Sequence, residues 1–287
     1  MKIVNLVVAG GGTMGSQVAW QAATHGKSVT VYDAFEKGLA RSRAAHDEFA
    51  ARFVAEGRMS QDEVDAARRR IDYTSALELA VGNAGLIIEQ VPEDLEIKRA
   101  FWRQASAVAP ADTLFATNSS SLLPSDMVTA VDRPEKFLAL HFSVDVWDAN
   151  IGEVMQHART APETRAACIA FAEEIGLVPI ELRKEYPGYV LNSLLIPWLI
   201  AGVDLLREGV ADARTIDRTW EICNKSAIGP LRMLDMVGMN VAYHIANNRA
   251  VATSDAGAAV TAAYIKSEFI DQGRLGQVAG KGVYDYG

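Results

Sequence analysis

The chain opens with an apolar strand pattern, Ile3–Ala9, that breaks at a glycine-rich turn and continues as a helical stretch. In the turn GGGTMG, Gly10 permits a tight reversal, Gly12 lets the backbone approach a pyrophosphate, and Gly15 lets the helix close on the strand. The helix N-terminus, from Ser16 onward, would present free N–H groups to phosphates. Glycine turns also occur for purely structural reasons, but a strand before and a helix after this one favour dinucleotide binding.

A second strand pattern strengthens that interpretation. Residues Ser28–Tyr32 alternate like a strand and end on Asp33, eighteen residues after Gly15. An acidic side chain at this interval accepts hydrogen bonds from the ribose hydroxyls of NAD and repels the 2′-phosphate of NADP. We therefore expect NAD as the cofactor, the alternative being that Asp33 is a solvent-facing turn residue.

Polar residues follow two later strand patterns of the same half of the chain. Leu114–Ala116 leads into the run Asn118–Ser121, and Phe137–Leu140 ends on His141, with Glu153 twelve residues further on. In an open α/β sheet, the carboxyl ends of the strands bind the ligands, and a histidine backed by a carboxylate can move a proton near neutral pH. The pattern predicts that His141 is a catalytic base oriented by Glu153, although a lone histidine at a strand end is more often structural.

The pattern of the chain changes near residue 186. The last strand pattern of the first half, residues 177–182, is followed by Tyr186-Pro187-Gly188 and then by helical patterns. We predict an α/β Rossmann-type N-terminal domain, residues 1–186, followed by an all-α C-terminal domain, residues 187–287. The first helix, expected over Tyr189–Glu208, is so apolar that it predicts a homodimer interface, unless its own domain buries it.

Composition excludes several classes of partner. The 287 residues carry a net charge of −8 without a basic stripe, which argues against nucleic acid and anionic membranes. Two distant cysteines, Cys168 and Cys223, lack the spacing of metal ligands and fit a reducing compartment. With neither a signal peptide pattern nor an apolar run of transmembrane length, we expect a soluble cytoplasmic enzyme without a metal, acting on a small molecule.

Several blocks of sequence resemble the L-3-hydroxyacyl-CoA dehydrogenases over nearly the whole chain, and most closely a bacterial diketoreductase-like branch. The blocks are AGGGTMGSQVA, YDA, IIEQVPEDLEIKRAFW, FATNSSSLLPSD, KFLALHF, GEV, YPGYVLNSLLIPWL and GKGVYDY. The resemblance implies an NAD-dependent oxidoreductase that interconverts a 3-hydroxyacyl and a 3-oxoacyl compound.

The resemblance also implies roles for individual residues. His141 would be the general acid/base and Glu153 its orienting partner, while Ser120 and Asn192 would hydrogen-bond the substrate oxygen. The residues expected to contact the cofactor are Gly10, Gly12, Thr13, Met14, Gly15, Asp33, Glu93, Lys98 and Ser120. For Glu93, capping of the following helix is an equally good explanation.

Departures from the family pattern concern the substrate. Val144 replaces the asparagine that normally lies near the nicotinamide, and the serine and lysine that contact coenzyme A fall near Phe49 and Glu56. These changes weaken a thioester-specific function, whereas the Val146-Trp147 stretch matches the branch that acts on 3-oxo or 3,5-dioxo esters. The alternatives are a dehydrogenase of a free polar hydroxy acid, such as gulonate or carnitine, and a non-catalytic, crystallin-like NAD-binding protein.

Overall fold

The computed structural model describes residues 2–287, apart from the side chains of residues 249, 252 and 253. It divides into two compact units, Met1–Val190 and Leu191–Gly287. The expected boundary at residue 186 lies slightly earlier in the chain.

The first unit is built on one eight-stranded sheet. The strands are β1 (Asn5–Ala9), β2 (Ser28–Tyr32), β3 (Ile71–Thr74), β4 (Leu86–Glu89), β5 (Leu114–Thr117), β6 (Phe137–Phe142), β7 (Ile151–Met155) and β8 (Val178–Leu182). Their order is β3-β2-β1-β4-β5-β6-β7-β8, and every neighbouring pair is parallel except β6 and β7. The first six strands have the order of a dinucleotide-binding Rossmann sheet, which confirms the predicted fold class.

Helices connect these strands and cover both faces of the sheet. They are α1 (Thr13–Thr24), α2 (Glu36–Ala55), α3 (Gln61–Arg68), α4 (Leu77–Val81), α5 (Leu95–Val108), α6 (Pro124–Met127) and α7 (Pro162–Glu174). Separate apolar cores therefore form on the two faces, one around Trp20 and the other around Trp102. All four residues of both β4 and β5 are buried, which explains why each strand begins with three consecutive apolar residues instead of alternating.

The second unit is helical, as predicted. Its helices are α8 (Leu191–Arg207), α9 (Ala213–Asn224), α10 (Pro230–Val237), α11 (Met239–Thr253) and α12 (Ala256–Glu268). The long apolar helix begins two residues later than expected, because Tyr189 has a φ of +55° and cannot be part of a right-handed helix. Over the described residues, no helix combines the length and hydropathy needed to span a membrane.

Candidate active site

The His141–Glu153 pair is created by the one antiparallel contact of the sheet. In the register of β6 and β7, His141 lies directly opposite Glu153, and residues opposite each other on neighbouring strands bring their side chains together. The imidazole Nδ1 lies 2.8 Å from the Glu153 Oε2 atom. Because a carboxylate can only accept, this contact places a proton on Nδ1 and leaves Nε2 facing the other way.

Both members of the pair are withdrawn from solvent. His141 is 4% exposed and Glu153 is 0% exposed. The second carboxylate oxygen of Glu153, Oε1, accepts a hydrogen bond of 2.9 Å from the Val190 backbone N–H. A buried carboxylate that is held at both oxygens keeps a fixed direction, and it can stabilise positive charge on the imidazole.

Ser120 completes a row of polar groups. Its Oγ lies 3.2 Å from the His141 Nε2, so the hydroxyl and the imidazole are in hydrogen-bonding contact. Ser120 belongs to the polar segment after β5, which is tied to β6 because the Phe142 N–H donates to the Asn118 Oδ1 over 2.8 Å. The Asn118 amide in turn donates to the Gln90 Oε1 over 2.6 Å. These bonds fix the ends of β4, β5 and β6 relative to one another.

Glu93 holds the serine segment from its other side. Its Oε1 atom accepts from the Ser119 hydroxyl over 2.5 Å, and from the Ser121 backbone N–H and hydroxyl over 2.9 and 2.8 Å. Burial opposes ionisation of Glu93, but the Ser119 bond, the charge of Lys98 and the Ser121 bonds together lower its pKa to about 2. Glu93 is therefore a carboxylate at any pH of interest, and it clamps the two residues that flank Ser120.

Lys98 is a buried neighbour of Glu93. The residue is 1% exposed, and its Nζ donates to the Glu89 Oε1 over 2.6 Å and to the Val91 carbonyl over 3.1 Å, with the Glu93 Oε2 at 3.2 Å. Glu89 also accepts from the Thr117 hydroxyl, so the ammonium and this carboxylate form a closed buried pair. The contact with cofactor expected for Lys98 and Glu93 stays a prediction, while the contacts present in the chain link them to the serine segment.

The turn after β1 has the features that a dinucleotide requires. Gly10 has a φ of +126°, and a Cβ on Gly15 would lie 1.9 Å from the Gly10 carbonyl, so neither position accepts a side chain. A Cβ on Gly12, by contrast, would meet none of the described atoms within 4 Å. No side chain caps α1 and no acidic residue lies in its first turn, where Thr13 is exposed and Met14 half-buried. The N–H groups of this helix end are thus open to a phosphate.

Asp33 lies next to that turn. Its Oδ2 accepts from the Gly11 N–H over 2.8 Å, and its Oδ1 accepts from the Phe35 N–H over 2.9 Å. Gly38 packs so closely that a Cβ there would lie 2.1 Å from the Asp33 Oδ2. The carboxylate is therefore held at the end of β2, and its contact with the ribose hydroxyls of NAD stays a prediction.

Three further positions that the sequence singled out lie outside the row of polar groups described above. Asn192 lies in the first turn of α8, in the second unit, and its role stays a prediction. Phe49 packs against Trp147 with ring centroids 5.0 Å apart. Glu56 pairs with Arg52 and Arg58, both over 2.6 Å, so its charge is balanced within this cluster.

Sequence reasoning missed one residue of this site, Tyr189. Its ring stacks on the His141 imidazole, with centroids 4.4 Å apart and planes at 21°, and its hydroxyl donates to the Ser119 carbonyl over 2.7 Å. The only signal in the sequence was the preceding Pro187-Gly188 pair, which predicts a turn and gives no side-chain direction.

Comparison with known proteins places both units in one family. The model of the 3-hydroxyacyl-CoA dehydrogenase NAD-binding domain matches residues 5–186, and that of the 3-hydroxyacyl-CoA dehydrogenase C-terminal domain matches residues 188–286. A solved diketoreductase, described as a catalyst of dicarbonyl compounds, is 44% identical, with a TM-score of 0.92 and 100% of both chains covered.

Two further relatives act on CoA thioesters by name. The probable 3-hydroxybutyryl-CoA dehydrogenase of Bacillus subtilis (strain 168) is 29% identical over 100% of this chain and 98% of its own length. The solved (S)-3-hydroxybutyryl-CoA dehydrogenase from Ralstonia eutropha is 25% identical, with a TM-score of 0.85 and 100% of both chains covered. The similar proteins thus include a reductase of dicarbonyl compounds as well as dehydrogenases named for CoA thioesters.

Proposed function

Since this chain belongs to the 3-hydroxyacyl-CoA dehydrogenase family, we propose that it interconverts a 3-hydroxyacyl and a 3-oxoacyl compound, with His141 as acid/base and Glu153 as its orienting partner. The chain is an NAD-dependent oxidoreductase, as its family and relatives are. The observation that carries the proposal is the row from Glu153 through His141 to Ser120, with contacts of 2.8 and 3.2 Å.

The geometry supports a simple division of labour. In oxidation, the His141 Nε2 takes the hydroxyl proton of the substrate, and in reduction the same nitrogen returns a proton to the developing alkoxide. The carboxylate of Glu153 stabilises the charge that appears on the imidazole. Ser120 donates a hydrogen bond to the substrate oxygen as negative charge develops there. The nicotinamide of bound NAD would supply the hydride acceptor.

Replacing His141 tests the acid/base role directly. We expect His141→Ala to lower turnover by a factor of about 10² to 10⁴, since general acid/base catalysis contributes that much. NADH binding, followed by quenching of tryptophan fluorescence, should stay close to that of the wild type because the side chain does not hold the nucleotide. Wild-type turnover in this variant would contradict the proposal.

The substrate we favour is a 3-oxo or 3,5-dioxo ester. The support is the 44% identity to a diketoreductase, against 29% and 25% for the CoA-specific relatives described above. Oxidation of NADH with acetoacetyl-CoA, an acetoacetate ester and a 3,5-dioxo ester, and reduction of NAD with gulonate and carnitine, would decide. Activity confined to acetoacetyl-CoA, or to gulonate and carnitine, would contradict the ester assignment. Tight NADH binding without any turnover would support a non-catalytic protein.

We also propose that the chain forms a homodimer through its second unit. Large apolar side chains of α8 and α9 are exposed there, Leu194 by 71% and Ile222 by 64%, with Leu205 and Trp220 also exposed. Exposed apolar patches of this kind mark interfaces. Light scattering should therefore give twice the chain mass of 31.0 kDa, and a mass near that of one chain would contradict the dimer.

A further inference from the structure

We propose that Tyr189 is a positioning residue for the acid/base pair, which fixes the plane of His141 and the place of Ser120 at the same time. This inference rests on the proposed function of His141. It begins with the face-to-face contact of the two rings, whose centroids are 4.4 Å apart. Stacking on one face restricts rotation of the imidazole about its Cβ–Cγ bond. The Nε2 atom is thereby kept in line with the Ser120 hydroxyl.

The hydroxyl of Tyr189 makes a second attachment. It donates to the Ser119 carbonyl over 2.7 Å, and Ser119 is the residue before Ser120. Burial, together with the carboxylates of Glu93, Glu153, Glu89 and Glu185, raises the pKa of Tyr189, so the phenol stays protonated and remains a donor. One side chain thus contacts both the acid/base and the backbone of the residue beside the substrate oxygen.

The backbone after Tyr189 makes a third attachment. The Val190 N–H donates to the Glu153 Oε1, so consecutive residues hold His141, Glu153 and the serine segment. This arrangement requires left-handed conformations at two successive residues, Gly188 with φ +82° and Tyr189 with φ +55°. A left-handed aromatic residue is unfavourable in itself, and such outliers persist where surrounding contacts enforce them, often at functional sites.

The stacked ring also acts on charge. When the imidazole takes up a proton, the positive charge lies over an aromatic face, which attracts cations. On one ring edge, this charge faces the Glu153 carboxylate on β7, whereas Glu93 and Glu89 are paired with Lys98. The Tyr189 ring therefore presents an aromatic face to this charge, in addition to fixing geometry.

Three variants test the proposal. We expect Tyr189→Leu to lower kcat by about 10-fold to 10²-fold, since small misplacements of a catalytic group cost that much, with the NADH dissociation constant within about twofold of the wild type. Tyr189→Phe keeps the ring and should recover most of this loss, leaving kcat about threefold below that of the wild type because the bond to Ser119 is lost. Tyr73→Phe is the matched control, because its hydroxyl also contacts a buried histidine, His46, away from the site.

A solvent isotope effect separates positioning from general stability. Misalignment of His141 slows proton transfer selectively, so the effect of D₂O on kcat should be larger in Tyr189→Leu than in the wild type or Tyr73→Phe. An unchanged kcat and isotope effect in Tyr189→Leu would overturn the inference. If the leucine variant fails to bind NADH, Tyr189→Met replaces it as the variant without a ring, and wild-type kcat with an unchanged isotope effect there would likewise overturn the inference. His141→Ala in the same series distinguishes the two failures: its inactivity upholds the function even when Tyr189 proves unimportant.

Discussion

A buried histidine contacts a tyrosine at two places in the first unit. One is His46, in the core, and the other is His141, at the edge of the sheet. The two residues are 2% and 4% exposed, so burial does not distinguish them. His46, on α2, has neutral partners: the Tyr73 hydroxyl lies 2.6 Å from Nδ1 and the Ser16 carbonyl 2.8 Å from Nε2. His141 has a carboxylate on one nitrogen and a small hydroxyl at the ligand-binding edge on the other.

This difference shows what makes a buried histidine able to move protons. Burial lowers the pKa of His46 to about 4, because its neutral partners do not compensate for the lost hydration of an imidazolium. At His141, the Glu153 carboxylate is present to stabilise the positive charge. The second nitrogen must also face a site that substrate can enter, whereas Nε2 of His46 is committed to a backbone carbonyl. A charged partner, and a second nitrogen that contacts a serine hydroxyl rather than a backbone carbonyl, are therefore the distinguishing features, rather than depth.

The largest expected effect comes from removing the negative charge of Glu153, the partner that His141 has and His46 lacks. We expect Glu153→Gln to lower turnover by about 10² to 10⁴-fold, because the amide neither stabilises an imidazolium nor fixes the tautomer. Steady-state assays with NADH would measure the loss, and fluorescence titration would show that the nucleotide still binds. If the variant kept more than half of the wild-type turnover, a charged partner would not be what enables His141 to move protons.

The next largest effect concerns the stability of the folded chain, which His46 should make dependent on pH. Its folded pKa of about 4 lies below the unfolded value of 6.5, so the unfolded chain binds the proton first as the pH falls. His46 therefore leaves the free energy of unfolding unchanged above pH 6.5. As the pH falls from 6.5 to 4, it lowers that free energy progressively, by about 3 kcal/mol in total. Denaturant unfolding across this range should show the gap between wild type and His46→Gln narrowing. A constant gap would mean that His46 does not titrate as its neutral surroundings require.

Replacing Glu93 asks whether the sheet edge depends on the clamp around its serines. Glu93→Gln removes the charge that holds Ser119 and Ser121 and that faces Lys98. We expect turnover to fall about tenfold through movement of Ser120, and NADH affinity to fall less than turnover. Measuring both constants is decisive, since a loss confined to NADH affinity would favour the predicted cofactor contact over the clamp.

Much of this edge could be predicted because it depends on strand ends. Asp33, Ser120 and His141 each follow or end an apolar strand pattern, and parallel strands bring such residues to one edge of the sheet. Glu153 was predicted as well, since one short strand pattern carries it opposite His141. Local periodicity is enough for these residues because the backbone alone determines their positions.

The rest depends on tertiary contacts that leave no periodic signal. Tyr189 reads as the start of an apolar helix, yet its left-handed backbone ends the first unit and turns the ring onto His141. Lys98 was expected to contact the cofactor, and the sequence did not show that Glu89, at the end of β4, gives its ammonium a buried partner. Such roles depend on which side chains meet in the folded chain, and a single sequence does not show this.

The smallest expected effect concerns His46 and its contact with Tyr73. Tyr73→Phe removes one neutral hydrogen bond to the His46 Nδ1 and leaves the ring that packs there. We expect the free energy of unfolding to fall by about 1 kcal/mol, the usual net value of such a bond, with turnover unchanged. Urea unfolding and the NADH assay on the same preparation would measure both. A clear loss of turnover would show that the two histidines are coupled through α1, because His46 contacts its Ser16 carbonyl and its N-terminus is the predicted phosphate-binding end.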